Sequence, residues 1–316
     1  MNNRQWVNLF FIGVSLLVII LLTSSFFLHD KFQKNTLEKK EYLIKENTPK
    51  IIFAGDSRAE RQLSVSTALN ILKYNKGDIV NIAVSSGDPI ALNYLADKYP
   101  TKFKNSTVLV SISANQLNDN AKSKGYFSYS MISKLSYKEK IMTFFPNNIT
   151  TLVGYYLSIV KNYLKTQFNL TKKNIYEETY GFNPVSGTLK ARNITDRGIK
   201  AHPWYENYIS GGLKYKIISN SLSSLANKVE KLYVYTAPFA PSYLAAMKEG
   251  RILNFEKSFK TQITNICNKH NITCINYLKI DELNDSHFYD GAHTNKLGAK
   301  IFTRKVLKDF RLAPIQ

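Results

Sequence analysis

The sequence predicts an α/β domain: a doubly wound parallel sheet covered by helices on both faces, carrying a helical insertion and preceded by one transmembrane helix. Three observations predict it. Short apolar runs rich in β-branched residues recur without the polar alternation of a half-solvated strand, as strands buried on both faces of a parallel sheet require. Segments of helical period separate these runs, so strand and helix alternate. A charge-free stretch near the N-terminus is long enough to cross a bilayer.

That stretch is Trp6 to Leu28, WVNLFFIGVSLLVIILLTSSFFL. It reads as an uncleaved anchor, because it exceeds the usual signal-peptide core and no A-x-A-like site follows it. Arg4 precedes it, while Lys31, Lys34, Lys39 and Lys40 follow. The positive-inside rule alone would keep the domain in the cytosol, although long domains translocate largely regardless of charge. Residues 29 to 48 are charged with few apolar anchors and read as a helical stalk or linker, so the domain is expected from Pro49 onward.

Strands are expected in PKIIFAG (49–55), DIVNIAV (78–84), STVLVSIS (106–113), KLYVYTAP (231–238) and ITCINY (272–277). Helices are expected in RAERQLSVSTALNILKY (58–74), PIALNYLADKY (89–99), ISNSLSSLANKVE (218–230) and NFEKSFKTQITNICNKH (254–270). Right-handed crossovers between such elements give a doubly wound sheet. Residues 117 to 215 interrupt the alternation and include FFPNNITTLVGYYLSIVKNYL, whose apolar spacing suggests a helix. So long an insertion reads as a lid or docking surface, or as a helical subdomain that only shields the sheet.

Composition narrows the function less than order does. At 316 residues and 44% hydrophobic content, the chain can build one large α/β domain plus appendages. Its charge of +20, from 43 Lys+Arg against 23 Asp+Glu, favours an anionic partner. The basic residues are spread out and accompany no nucleic-acid motif, so they fit an acidic envelope polymer or a membrane surface rather than nucleic acid. The two cysteines, Cys267 and Cys274, read most simply as buried thiols, whereas a disulfide would fit an oxidising compartment. Neither has metal-ligand spacing, and no metal or cofactor is implied.

In doubly wound sheets ligands bind beyond the carboxyl ends of the strands. Four features fall there. Gly55-Asp56-Ser57 follows the first strand, where Ser57 is either a nucleophile with its own N–H in reach of an oxyanion, or an ordinary helix N-cap. NIAVSSGDP follows the second; there Gly87, with its neighbour Ser86, either offers an N–H to a developing oxyanion or forms a plain turn before Pro89. Asn115 ends the third, as an amide donor to the same oxyanion or as a turn residue. Near the C-terminus, HFYDGAHTNKLGAKIF sets Asp290 three residues before His293, with Thr294 or Asn295 available to cap the next helix. That spacing lets the imidazole face a serine while the carboxylate orients it from behind.

This ordered set resembles the SGNH/GDSL hydrolase superfamily. The resemblance implies a three-layer flavodoxin-like sheet over residues 49 to 312 and a triad of Ser57, His293 and Asp290. It also implies an oxyanion hole from Ser57, Gly87 and Asn115. Arg58 stands where the family has the leucine of GDSL, Ala83 and Ser86 stand where glycines are frequent, and Ser113 and Gln116 replace a glycine and an aspartate. The anchor, the insertion and YDGAHTNKLGAKIFTRKV are similar to membrane-anchored envelope members of the superfamily. These include teichoic-acid D-alanyl-transfer proteins and polysaccharide O-acetyltransferases that work beside membrane-bound O-acyltransferases. The resemblance therefore implies an extracytoplasmic serine acyltransferase or esterase acting on O-acyl groups of an envelope glycan. Arg58, Arg61 and Ser86 are candidate substrate-binding residues and a membrane-bound O-acyltransferase is the implied partner. The alternative is an idle accessory subunit of such a system.

Overall fold

The computed structural model describes residues 4–16, 19, 40–85, 87–119, 179–187, 208, 211–249 and 253–312. The chain divides into two compact units, one of Met1–Thr36 with Lys124–Thr171 and one of Leu37–Ser123 with Lys172–Gln316. In the first unit, residues 4–16 are helical and Trp6, Phe10 and Phe11 are exposed. Among the described residues no helix is long and apolar enough to cross a membrane. Most of the expected span beyond residue 16 lies outside the described residues, so the structure gives the expected anchor no support. The helix expected in FFPNNITTLVGYYLSIVKNYL also lies outside them.

The second unit holds a parallel sheet of β1 (Ile51–Ala54), β2 (Ile79–Asn81), β3 (Thr107–Ser111), β4 (Lys231–Thr236) and β5 (Thr273–Asn276). Its strand order is β2-β1-β3-β4-β5, all pairs parallel. Every residue of β1, β2 and β3 is buried, which is why these strands read as unbroken apolar runs. Ile52, Phe53, Val108, Leu109, Val110 and Val234 are fully enclosed. Each contributes roughly 1.5–3 kcal/mol by burial.

Helices α1 (Ser57–Gln62) and α2 (Val65–Leu72) join β1 to β2, and α3 (Pro89–Lys98) and α4 (Pro100–Lys104) join β2 to β3. After β3 come α5 (Ala114–Leu117) and α6 (Leu213–Ala226); α7 (Pro241–Glu249) and α8 (Leu253–His270) lead to β5, and α9 (Lys296–Asp309) closes the domain. The helix expected over 58–74 is split at Ser64, whose hydroxyl accepts from Thr67 N at 3.3 Å and starts α2 afresh. In α9, Ala299, Phe302, Thr303, Val306 and Leu307 form one buried stripe at helical spacing. That stripe packs α9 against α1 and α2, while α6 packs against α3, α5 and α8. Right-handed crossovers impose this two-sided grouping when the strand order turns back at β1. The reversal leaves a switch point between β1 and β3, where open α/β sheets bind their ligands.

Two boundaries differ from the sequence reading. Residues 40–46 are helical and bury Leu43 and Ile44 at 2% and 0% exposure, so this part of the expected stalk belongs to the domain. Its two apolar residues sit among charges, which hid the packed face. Cys267 and Cys274 form a disulfide rather than two free thiols, with their Cα atoms 6.1 Å apart. Asn271, at φ 52°, turns the chain from α8 into β5 and brings the two residues side by side.

Candidate active site

Gly55 takes the chain off β1 with φ 132°, a conformation that disfavours any residue with a Cβ. A Cβ there would also lie 2.8 Å from Ser111 Cβ on β3. Asp56 follows as the N-cap of α1, its Oδ1 accepting from Arg58 N at 3.0 Å. Ser57 is therefore the first residue of the helix and not its cap. Its hydroxyl is not consumed in ending the helix, and its N–H has no hydrogen-bond partner among the described residues, as first-turn donors lack one.

Ser57 Oγ lies 2.9 Å from His293 Nε2. On the far side of the ring, His293 Nδ1 lies 2.9 Å from both Asp290 oxygens. Asp290 Oδ1 also accepts from Ala292 N and His293 N, each at 2.9 Å, so the carboxylate organises its own loop. Burial works against the charged carboxylate, yet the bond and charge of His293 and these backbone donors outweigh it and hold Asp290 below its ordinary value. Asn295 caps α9 through Leu297 N and Gly298 N, which fixes where the loop ends. A hydroxyl, an imidazole and a half-buried carboxylate bonded in series can activate the hydroxyl as a nucleophile.

The other expected site residues fall differently. Asn115 stands half-buried in α5 beyond β3, and its side chain has no hydrogen-bond partner among the described residues. Gly87 N–H is engaged, donating to Val84 O at 2.7 Å. As it stands it is a tight turn, and Asp88 caps α3 just after it. The glycine is needed for closeness, since a Cβ would come 2.4 Å from Gly55 O beside the serine turn. Ser86 lies outside the described residues.

Arg58 does not reach toward solvent as a substrate-binding residue would. It is 5% exposed, its Nε stands 3.5 Å from Asp56 Oδ2, and its guanidinium lies over the Phe239 ring at 5.1 Å. The neighbouring carboxylate and ring offer a buried cation more than water at that depth can. Arg61 is half-buried, with its Nε enclosed and without a partner among the described residues.

Several supporting residues escaped the sequence reading. Ser113 Oγ donates to Asp56 Oδ2, linking the third block to the first. Gln116 joins the second and third blocks: Oε1 accepts from Ser113 N at 2.8 Å, and Nε2 donates to Gly87 O at 2.7 Å. Buried Lys40 pairs with Glu60 of α1 at 3.1 Å and donates to Gly181 O at 2.7 Å and to Ala83 O. The residues near 181 belong to the insertion and run past α1 and the histidine loop. Asn183 N donates to Glu60 O at 3.0 Å, and Lys296 N to Val185 O at 3.1 Å. Polar residues three or four apart near a strand end were the available signal, and many surface turns share it.

No protein-family model matches the chain. No curated protein matches it significantly.

Proposed function

We propose that this protein is a serine acyltransferase or esterase of the SGNH type, acting on O-acyl groups of a cell-envelope glycan through an acyl-enzyme. The observation that carries the reading is the unbroken chain from Ser57 Oγ through His293 to Asp290, with 2.9 Å at each link. The strand order, with Ser57 after β1 and Asn115 after β3 at the switch point, supports it.

His293 Nε2 takes the Ser57 proton as Oγ attacks the acyl carbonyl. Asp290 holds the ring by Nδ1 and stabilises the imidazolium. The tetrahedral oxyanion is received by the Ser57 N–H and the Asn115 amide. As it collapses, the carbon–oxygen bond to the donor alcohol breaks and His293 returns the proton to that oxygen. An acceptor hydroxyl, or water, then attacks the acyl-Ser57 ester with His293 again as base, the bond to Ser57 Oγ breaks, and His293 returns the proton to that oxygen.

The domain works outside the cytosol, held by the apolar N-terminal segment. The Cys267–Cys274 disulfide supports this, since such bonds persist in oxidising compartments. The spread positive charge suits an acidic glycan polymer, and the implied partner is a membrane-bound O-acyltransferase that supplies the acyl group.

The test compares O-acyl content of the envelope glycan in cells carrying wild-type or Ser57→Ala protein. Loss of acyl groups in the variant assigns a transferase and gain assigns an esterase. Unchanged content contradicts both and leaves an accessory subunit.

A further inference from the structure

Gln62 sits on α1 about one and a half turns beyond Ser57 and is fully buried. Its Nε2 donates to Ala292 O at 2.9 Å and lies 3.4 Å from Pro238 O. Two carbonyls facing one amide nitrogen fix which end of the side chain meets the loop. The Ala292 carbonyl belongs to the peptide unit whose N–H, that of His293, donates to Asp290 Oδ1 at 2.9 Å. That peptide is thus gripped at both ends, by Asp290 on its N–H and by Gln62 on its oxygen.

We infer that Gln62 is a positioning residue that couples the nucleophile helix to the acid–base loop, setting the Ser57–His293 distance. The inference rests on the proposed triad and deepens it. Both members of the 2.9 Å contact are then referenced to one rigid element, since Ser57 and Gln62 share α1. The helix is itself held from beneath, because Ser64 N, just past its end, donates to Thr303 Oγ1 on α9 at 2.8 Å. No other described side chain donates to the Ala292 carbonyl. Without this donor the Asp290–His293 loop keeps its internal bonds yet loses its reference to the serine.

The test is stopped-flow labelling of the full chain with a fluorophosphonate, in wild type, Gln62→Met and Gln62→Leu. Met keeps the side chain's length and Leu much of its volume, and neither has a hydrogen-bond donor. Labelling amplitude reports folded sites, while the rate constant reports serine activation. The expected result is full amplitude with a rate constant about 10- to 100-fold lower in both variants, the scale of a misplacement near 1 Å. A rate constant within twofold of wild type in either folded variant overturns the inference. Failure of both variants to label at full amplitude overturns it too, since Gln62 would then serve folding alone. Absence of labelling in wild type, or labelling that survives Ser57→Ala, is a different failure and sinks the triad reading beneath it.

Discussion

Ser57 Oγ and His293 Nε2 stand 2.9 Å apart, although 236 residues separate them in the chain. The contact exists because α9 packs its apolar stripe on α1 and α2 and so delivers the loop preceding it to the end of β1.

In the proposed mechanism Ser57 carries chemistry while Asp56 caps the helix, so activity and stability should separate. Ser57→Ala is expected to abolish acyl transfer while leaving the melting temperature nearly unchanged. Asp56→Ala removes the cap and is expected to cost about 1 kcal/mol from the cap alone. Calorimetry on the two variants checks this, and a large loss of stability in Ser57→Ala would contradict it.

Asp290 predicts a pH signature. Its carboxyl is held below its ordinary value in the folded chain, so its contribution is present above the unfolded value and lost as pH falls through the folded one. The stability gap between wild type and Asp290→Asn should therefore be widest above about pH 4 and close as the pH falls further. Urea titrations at a series of pH values measure it. At neutral pH the same variant should turn over about 10²- to 10⁴-fold more slowly.

Two of the three expected oxyanion donors, Asn115 and Gly87, should behave oppositely. Asn115→Ala is predicted to lower the turnover rate by about 10²- to 10³-fold with little effect on melting. Gly87→Ala should destabilise the fold, because its Cβ meets Gly55 O at 2.4 Å. Thermal melts beside initial rates distinguish these, and a Gly87→Ala variant as stable as wild type would contradict the close approach to Gly55.

Lys40 ties the segment before the sheet to α1. Burial pushes its ammonium below the ordinary value, and its partner Glu60 is 4% exposed. Lys40→Met strands a buried carboxylate and should cost about 3–5 kcal/mol in urea unfolding. Adding Glu60→Gln should recover part of that loss. A Lys40→Met variant as stable as wild type would show that the Lys40–Glu60 pair does not hold this segment to α1.

Much of the fold was legible because its cause is local. The apolar runs of β1 to β3 were legible because burial of every residue writes itself as runs of Ile, Val and Leu, while β4 and the edge strand β5, half-buried or exposed at several positions, kept their β-branched and aromatic residues. The Gly55-Asp56-Ser57 and Asp290-x-x-His293 blocks were legible because the fold places strand ends and the final loop on one edge. What could not be read was the pairing of side chains across the chain. Arg58 looked like a substrate contact, yet it folds back on Asp56 and Phe239, and nothing local encodes Phe239's position. Gln62 bonds to backbone carbonyls, as Lys40 does beside its pairing with Glu60, and every residue type carries a carbonyl, so those partners leave no trace in sequence. The Cys267–Cys274 bond depended on the turn at Asn271, a matter of one backbone angle.

The claim at the centre is that Ser57 is a nucleophile activated by His293. Peptide mass spectrometry of the full chain after fluorophosphonate treatment tests it most directly. One adduct is expected, on Ser57, absent from both Ser57→Ala and His293→Ala. A folded wild-type protein with no adduct, or with an adduct on another residue, would contradict it.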